Sequence, residues 1–321
     1  MKGSGIIKTV IIIAVIIVVI GFLALIIPGT VEKFAFKQFG IKLQYKFNTG
    51  DELKYAMGTA IIYNIKKVDL PNVPRGSSPF IETWRELGSQ KQMAQETQLL
   101  YTEKVKSYTP DGIAQISFQV NDAKIRETRG LVSIENAPME NILKGANFLL
   151  KLNSLGEVTD FQSSSLLPGN TDPSGMKSLF TSGNATFPDK KLRAGSSWEQ
   201  TVELPIATAQ LSSNGTYKYT YTLEGLENFE KITSVLIKIR LSMDQVVKSN
   251  ASNMEVTITT KGSGEGTTYF DYKRGRLLQT ITNAKLENTI TFESVKNPSE
   301  KGKINFDNNM LIQYKLMEDS K

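Results

Sequence analysis

The chain contains no cysteine and no histidine among its 321 residues. Without cysteine it has no disulfide, no thiol nucleophile and no lipid-modified N-terminal cysteine. Without histidine it lacks the base of a Ser-His-Asp triad, and the usual zinc ligands are missing too. An exported domain of this composition is therefore held together by its hydrophobic core alone.

Blocks of like charge are also missing. The chain has 38 lysines and arginines against 32 aspartates and glutamates, a formal net charge of +6, and the two signs are interspersed. Nucleic-acid-binding proteins usually concentrate basic residues in a patch or stripe. The composition therefore predicts no nucleic-acid partner.

One long hydrophobic run stands out, residues 9–31, which contains no charged residue. A helix of roughly 20 such residues crosses the ~30 Å hydrocarbon core of a bilayer. A cleaved signal peptide is the alternative, but its apolar core usually has about 7–15 residues and ends at a small-x-small site. Because this run is longer and ends in Ile-Ile-Pro-Gly, we predict an uncleaved transmembrane anchor.

The lysines on the two sides of residues 9–31 do not decide the orientation of the anchor. A long domain crosses a membrane largely regardless of flanking charge, and the remainder has the composition of an exported domain. We predict residues 1–8 as a short cytoplasmic tail and residues 32–40 as a stalk. The predicted localisation is the cell membrane, with a single pass and an extracytoplasmic C-terminal domain.

From Ile41 onwards apolar and polar residues alternate in run after run, as in half-buried strands. The clearest runs are 41–47, 53–65, 114–120, 217–223, 235–243 and 310–316. The fold class expected is mainly β, a curved antiparallel sheet or sheets with one packed helix. Pro138 is expected to open that helix, near residues 138–149.

Turn-forming residues divide the rest of the chain. Residues 70–88 are proline-rich and read as an insertion, and residues 167–174 (LPGNTDPS) are the best candidate boundary. This division gives two β-rich units, residues 41–166 and 175–321. Each unit starts at a glycine-led turn, at Gly50 and at Gly195, and closes on an x-x-Gly-x-apolar hairpin, at Gly156 and at Gly275. Either a tandem duplication or repeated use of common hairpin chemistry explains that likeness.

Two local patterns have more than one reading. Gly262-Ser263-Gly264-Glu265-Gly266 lacks the Lys-Ser/Thr that follows a phosphate-binding loop, so we predict a hairpin turn between two strands. The tyrosines at 217, 219 and 221 could line a ligand surface. At strict period two, the core face of a strand is the favoured reading.

The segment Phe187–Trp198 (FPDKKLRAGSSW) resembles the proline, lysine-rich, glycine, tryptophan strand start of a group of bacterial exported β-rich proteins, many of them lipoproteins. Residues 266–271 followed by Gly275 are similar to the late glycine, aromatic-Asp, glycine hairpin of that group. The resemblance covers residues 42–316 and implies no catalytic residue. The expected architecture also resembles half-barrel envelope lipid carriers.

Ser174 and Lys177 match the S-x-x-K nucleophile motif of serine penicillin-recognising enzymes. The chain has no Lys-Thr-Gly to accompany it, and its surroundings read as β hairpins rather than a helical domain. The favoured reading is a boundary loop that runs into a short helix. We therefore predict no enzyme and no catalytic, cofactor-binding or metal-binding residue.

Two functions remain open for such an envelope protein. A carrier of lipid or another hydrophobic ligand needs an apolar pocket of roughly 300–1,000 Å³ on the concave face, lined by helix residues such as Phe148 and by inward-facing strand residues. A scaffold that binds another envelope protein fills that face with its own side chains and binds through an exposed patch or edge strand. A Ser-Lys hydrolase is a distant third.

Overall fold

The computed structural model describes residues 30–70, 73–74, 82, 85–86, 88–89, 91–130, 132–163, 185–205, 211–212, 214–251 and 254–320. The predicted anchor, residues 9–31, lies outside this part except for its last two residues. Among the described residues, no helix combines the length and the apolar character that crossing a bilayer requires.

The described chain is mainly β, as predicted from its alternating runs. Its helices are α1 (Thr30–Phe39) and α2 (Ala137–Leu143). Its strands are β1 (Ile41–Lys42), β2 (Glu52–Asp69), β3 (Gln92–Tyr108), β4 (Ile113–Arg129), β5 (Val132–Glu135), β6 (Asn147–Asn153), β7 (Val158–Ser163), β8 (Lys191–Leu192), β9 (Ser197–Pro205), β10 (Leu211–Ser212), β11 (Asn214–Phe229), β12 (Ile232–Ala251), β13 (Met254–Asp271), β14 (Arg276–Ser294) and β15 (Lys301–Ser320).

One antiparallel sheet contains nearly all of these strands, in the order β7-β6-β4-β3-β2-β15-β14-β13-β12-β11-β9. β5 pairs with β4 at its far end, and β10 pairs with β12. Near the middle of the sheet β2 pairs with β15, so that Thr59 lies opposite Ile312. The two predicted units therefore contribute to a single sheet.

The prediction of a hairpin turn at residues 262–266 is wrong. Gly262, Gly264 and Gly266 lie inside β13, which pairs without a break at these residues with β12 on one side and β14 on the other. A Cβ on Gly264 would lie 2.5 Å from the carbonyl oxygen of Asn283 on β14. Glycine is therefore used here for close backbone approach within a strand and not for a turn.

These glycines mark a sharp bend of the sheet. The Cα atoms of β12 and β14 come within 8 Å of each other in places, whereas strands flanking a third in a flat sheet are about 9.5 Å apart. Leu241 of β12 and Ala284 of β14 belong to one apolar cluster, to which β13 contributes no side chain. The sheet therefore bends at β13, and we call its apolar, core-lining side the inner face.

The predicted helix near residues 138–149 is shorter in the structure. Its start is as expected, with Pro138 in the first turn and the Asn136 side chain accepting a hydrogen bond from the Met139 N–H at 3.2 Å. It ends at Leu143 because Gly145 turns the chain with a φ of +79°. Residues from Asn147 form β6, where Phe148 and Leu150 are buried on the inner face.

Two segments, residues 41–48 and 185–192, close one end of the bent sheet; we call them the cap. β1 and β8 within the cap pair with each other. The Tyr45 N–H donates to Ser154 O at 2.8 Å, and the Lys46 N–H donates to Gly275 O at 3.3 Å. The cap therefore joins the β6–β7 turn to the β13–β14 turn.

The glycine turns that define the sequence repeat surround this cap. Gly50, Gly156, Gly195 and Gly275 all have positive φ, as the predicted turns require. A Cβ on Gly156 would collide with the Tyr45 ring. The likeness between the two halves therefore corresponds to turns at one end of the sheet.

Candidate functional site

The inner face of the bent sheet contains a cavity of about 200 Å³ beneath the cap. Its wall is formed by β2, β3, β4 and β6, together with β14, β15, the cap and α2. Seven of the wall residues are aromatic: Tyr45, Phe47, Tyr55, Tyr101, Phe118, Phe148 and Tyr314. The aliphatic ones are Leu53, Met57, Leu99, Val105, Ile116, Val120, Leu143, Leu150, Leu152 and Leu277.

Strand periodicity explains why the wall is apolar. Residues two apart on a strand share a face, so Leu99, Tyr101 and Val105 of β3 all point inwards. The register places Tyr55 opposite Tyr101, and the two rings stack with centroids 5.6 Å apart. Tyr101 also stacks on Phe118 of β4, at 5.9 Å. Neighbouring strands thus build one continuous aromatic surface.

The cap covers the cavity through Tyr45 and Phe47. The Tyr45 hydroxyl donates to Ala185 O at 3.2 Å, and its ring packs against Phe187 and Phe270. Burial raises the pKa of the Tyr45 phenol, with a smaller contribution from the charge of Glu103. A buried phenol that is hydrogen-bonded across the two cap segments holds this cover in place.

Leu143, the last residue of α2, covers another part of the cavity. No residue of α2 is buried, and Leu143 itself is only partly so. The following residue, Lys144, forms an exposed ion pair with Asp122 of β4 at 3.0 Å. The Glu140 carboxylate accepts a hydrogen bond from the Ile125 N–H of β4 at 2.8 Å, so α2 is held at the edge of the cavity mainly by polar contacts.

Two cationic side chains line the cavity, and each donates a hydrogen bond to another residue. Arg276, which is almost fully buried, donates to the Asp51 carboxylate at 2.8 Å. Lys46 Nζ donates to Lys273 O at 2.8 Å. The buried Arg276 charge is thus compensated by a carboxylate, whereas the exposed Lys46 ammonium is held by a backbone carbonyl.

Glu103 of β3 has no such partner. It is half-buried and lines the cavity, and no hydrogen bond or ion pair holds its carboxyl among the described residues. Burial raises its pKa to about 8, because the charged form loses its hydration. The carboxyl is therefore protonated at neutral pH in the empty cavity.

The raised pKa of Glu103 has a testable effect on stability. The folded state keeps a proton on Glu103 up to about pH 8, whereas the unfolded chain releases it near its ordinary value of about 4.3. Because the folded state binds this proton more tightly than the unfolded chain does, Glu103 stabilises the fold fully at pH values below about 4.3. This stabilisation is lost as the pH rises to about 8. We expect Glu103→Gln to make urea stability nearly independent of pH between 5 and 8.5, while the wild type loses stability. Parallel curves for the two proteins would contradict this.

The sequence-based reasoning found part of this site. Phe148 lines the cavity as expected, although from a strand and not from a helix. Tyr219 and Tyr221 pack in the core, which confirms the core-face reading of the tyrosine run. Ser174 and Lys177 lie outside the described residues, so the hydrolase motif is not tested.

Glu103 was missed, although the sequence carries a signal for it. Leu99, Tyr101 and Val105 fall at alternate positions, and Glu103 occupies the same face between them. A single acidic residue on an otherwise apolar strand face is unusual, because burying its charge is unfavourable. Polar residues at intervening positions gave the strand as a whole a mixture of polar and apolar residues, which obscured its apolar face.

The similarities of this chain to known proteins assign no function to it. A family model described as a family of unknown function (DUF6263) matches residues 131–277. No curated protein matches the chain. Among solved structures it is similar to one described as lipid-protein interactions in lipovitellin, with 10% identity, a TM-score of 0.40, and coverage of 86% of this chain and 26% of that chain. A second is Pseudomonas aeruginosa OccK11 (OpdR), with 8% identity, a TM-score of 0.19, and coverage of 86% and 100%.

The chain therefore spans about a quarter of the lipovitellin chain it matches. At such TM-scores neither likeness supports an argument about function.

Proposed function

We propose that this protein binds a small hydrophobic molecule, or the apolar end of a larger one such as a lipid, in the cavity beneath the cap. The observation that carries the proposal is about 200 Å³ of space left open on a face lined by aromatic and aliphatic side chains. A scaffold protein would fill such a face with its own side chains.

The energetic cost of the cavity supports this reading. In substitution series, cavities left in protein cores destabilise by about 24 cal/mol per Å³, so an apolar space left unfilled lowers the stability of a fold. Whole domains are stable by only about 5–15 kcal/mol. A ligand that occupies the space recovers much of that loss, which gives the cavity a physical reason to exist.

The volume sets the size of what enters. An apolar cavity of roughly 150 Å³ holds one benzene molecule, so this one accommodates a single ring with a short side chain or a few methylene groups. That is less than the roughly 300–1,000 Å³ expected for a site that encloses a whole ligand. A larger lipid would place only one end beneath the cap.

The proposal treats the protein as a non-catalytic component of the cell envelope. Residues 9–31 anchor it in the membrane in this view, with the β domain outside the cytoplasm. The uncharged run of these residues supports the anchor. Apolar side chains from several strands meet at the cavity, and the described wall residues include no nucleophile with a base beside it. Both observations support binding over catalysis.

The cavity is tested by filling it. We expect Leu99→Trp to abolish binding of ethylbenzene, measured by calorimetric titration of the full chain, because the indole occupies the space. The matched control is Leu100→Trp, since Leu100 is the next residue of β3 and is 46% exposed on the opposite face. Binding that is equal in the wild type and Leu99→Trp would overturn the proposal.

Native mass spectrometry of the full chain from a membrane-containing host provides an independent measurement. A co-purifying molecule of defined mass, present in the wild type and in Leu100→Trp but missing from Leu99→Trp, would identify the occupant. The same adduct in all three proteins would place its binding elsewhere.

A further inference from the structure

The polar groups of the cavity wall indicate what kind of molecule fits it. We propose that the ligand is an organic cation, an amphiphile whose ammonium group is bound by Glu103 among the aromatic rings of the cavity. This inference rests on the proposed function, because it names the class of ligand for the same cavity.

Most acidic and basic side chains of the cavity wall already have partners. Arg276 is compensated by Asp51, and Lys46 donates to a backbone carbonyl. Glu103 is the one acidic or basic side chain of the described wall with no hydrogen bond or ion pair. An incoming ligand therefore finds a carboxyl group whose ionised form attracts an ammonium group and repels an anion such as a fatty-acid carboxylate.

The aromatic rings of the wall also favour a cation. Seven aromatic side chains line the cavity, and Glu103 lies between Tyr101 and Val105 on the inner face of β3. The faces of aromatic rings attract cations, by up to about 2 kcal/mol or more per contact when water is excluded. A carboxylate in apolar surroundings gains far more from a positive charge than it would in water. The two effects act together on an ammonium group.

The remaining titratable groups do not interfere near neutral pH. Burial raises the pKa of the phenols of Tyr45, Tyr101 and Tyr314, so all three stay neutral. The Tyr55 hydroxyl donates to Leu277 O at 3.1 Å. Glu103 is thus the group that changes charge when a cation enters, and it releases a proton as it does so.

Three probes of nearly equal size test the inference by calorimetric titration of the full chain: 2-phenylethylamine, 2-phenylethanol and phenylacetate. We expect the amine to bind at least tenfold more tightly than the alcohol at pH 8.5, and phenylacetate to bind most weakly. Amine affinity should fall roughly tenfold per pH unit below 8, because Glu103 must lose its proton. Alcohol affinity should stay constant.

Glu103→Gln should retain alcohol binding and lose both the preference for the amine and its pH dependence. Glu96→Gln is the control, because Glu96 lies on the same strand and points to the exposed face. Should Glu103→Gln fail to fold, the pH dependence of amine and alcohol binding to the wild type still tests the inference. Equal, pH-independent affinities for amine and alcohol would overturn the inference and leave the proposed function intact, whereas binding of none of the probes, nor of ethylbenzene, would overturn both.

Discussion

Replacing Gly264 by alanine is expected to lower the free energy of unfolding by about 3 kcal/mol, at the upper end of ordinary overpacking effects. The new Cβ would lie 2.5 Å from Asn283 O and 2.9 Å from the Ala284 side chain, so β13 and β14 would have to separate. Because the bend of the sheet depends on that close approach, the strain cannot be relieved by turning one side chain. Urea unfolding followed by circular dichroism measures the loss.

Gly58→Ala is the matched control. Gly58 also lies within a long strand, but a Cβ there has no heavy atom within 4 Å. Alanine is favoured over glycine in a strand by roughly 0.5–1 kcal/mol, so this variant should gain slightly in stability. If the two variants were equally stable, the bend would not depend on the missing side chain at position 264.

The second large effect is expected at Phe187, in the cap. Its ring is almost fully buried and packs against Phe270, Tyr45 and Trp198, with centroids 4.8, 5.4 and 6.2 Å away. Removing a buried phenyl ring usually costs about 3–5 kcal/mol. We expect Phe187→Ala to lose that much stability. It should also weaken ethylbenzene binding at temperatures where it remains folded, because Tyr45 loses the ring that supports it over the cavity.

Phe39→Ala provides the comparison, since Phe39 is 68% exposed at the end of α1. Its unfolding curve should stay within about 0.5 kcal/mol of the wild type, as for most surface substitutions. A Phe187→Ala protein with reduced stability and unchanged ligand affinity would show that the cap holds the fold together without covering the ligand.

Local features of this fold could be predicted from the sequence, and the arrangement of the sheet could not. Alternation identifies β2 and β15 because each strand buries one face, and Pro138 marks the start of α2. Pairing of Thr59 with Ile312 leaves no local trace, since nothing in either strand specifies its partner. Glycine-rich segments are typical of turns, and nothing local in residues 262–266 indicates that these glycines instead allow close backbone approach within β13.

An apolar cavity on the sheet could be predicted from the sequence, but its size and its polar lining could not. An enclosed apolar face follows from a curved antiparallel sheet, and Phe148 was correctly placed on it. The size of the cavity depends on how deeply Tyr45 and Phe47 enter from the cap, and this is a property of tertiary packing. The isolation of Glu103 likewise emerges only when the partners of Arg276 and Lys46 are known.

The pairing of β2 with β15 has a consequence for the order of events during folding. The first long strand of the described chain finds its second neighbour only when the last strand is available. Until then β2 presents an unpaired edge, and β14 lacks its partner on the other side. Contacts between residues so distant in sequence slow folding and prolong the exposure of aggregation-prone edges. A chain that emerges from its N-terminal end would therefore need protection, or rapid delivery of its last strand, before the sheet closes.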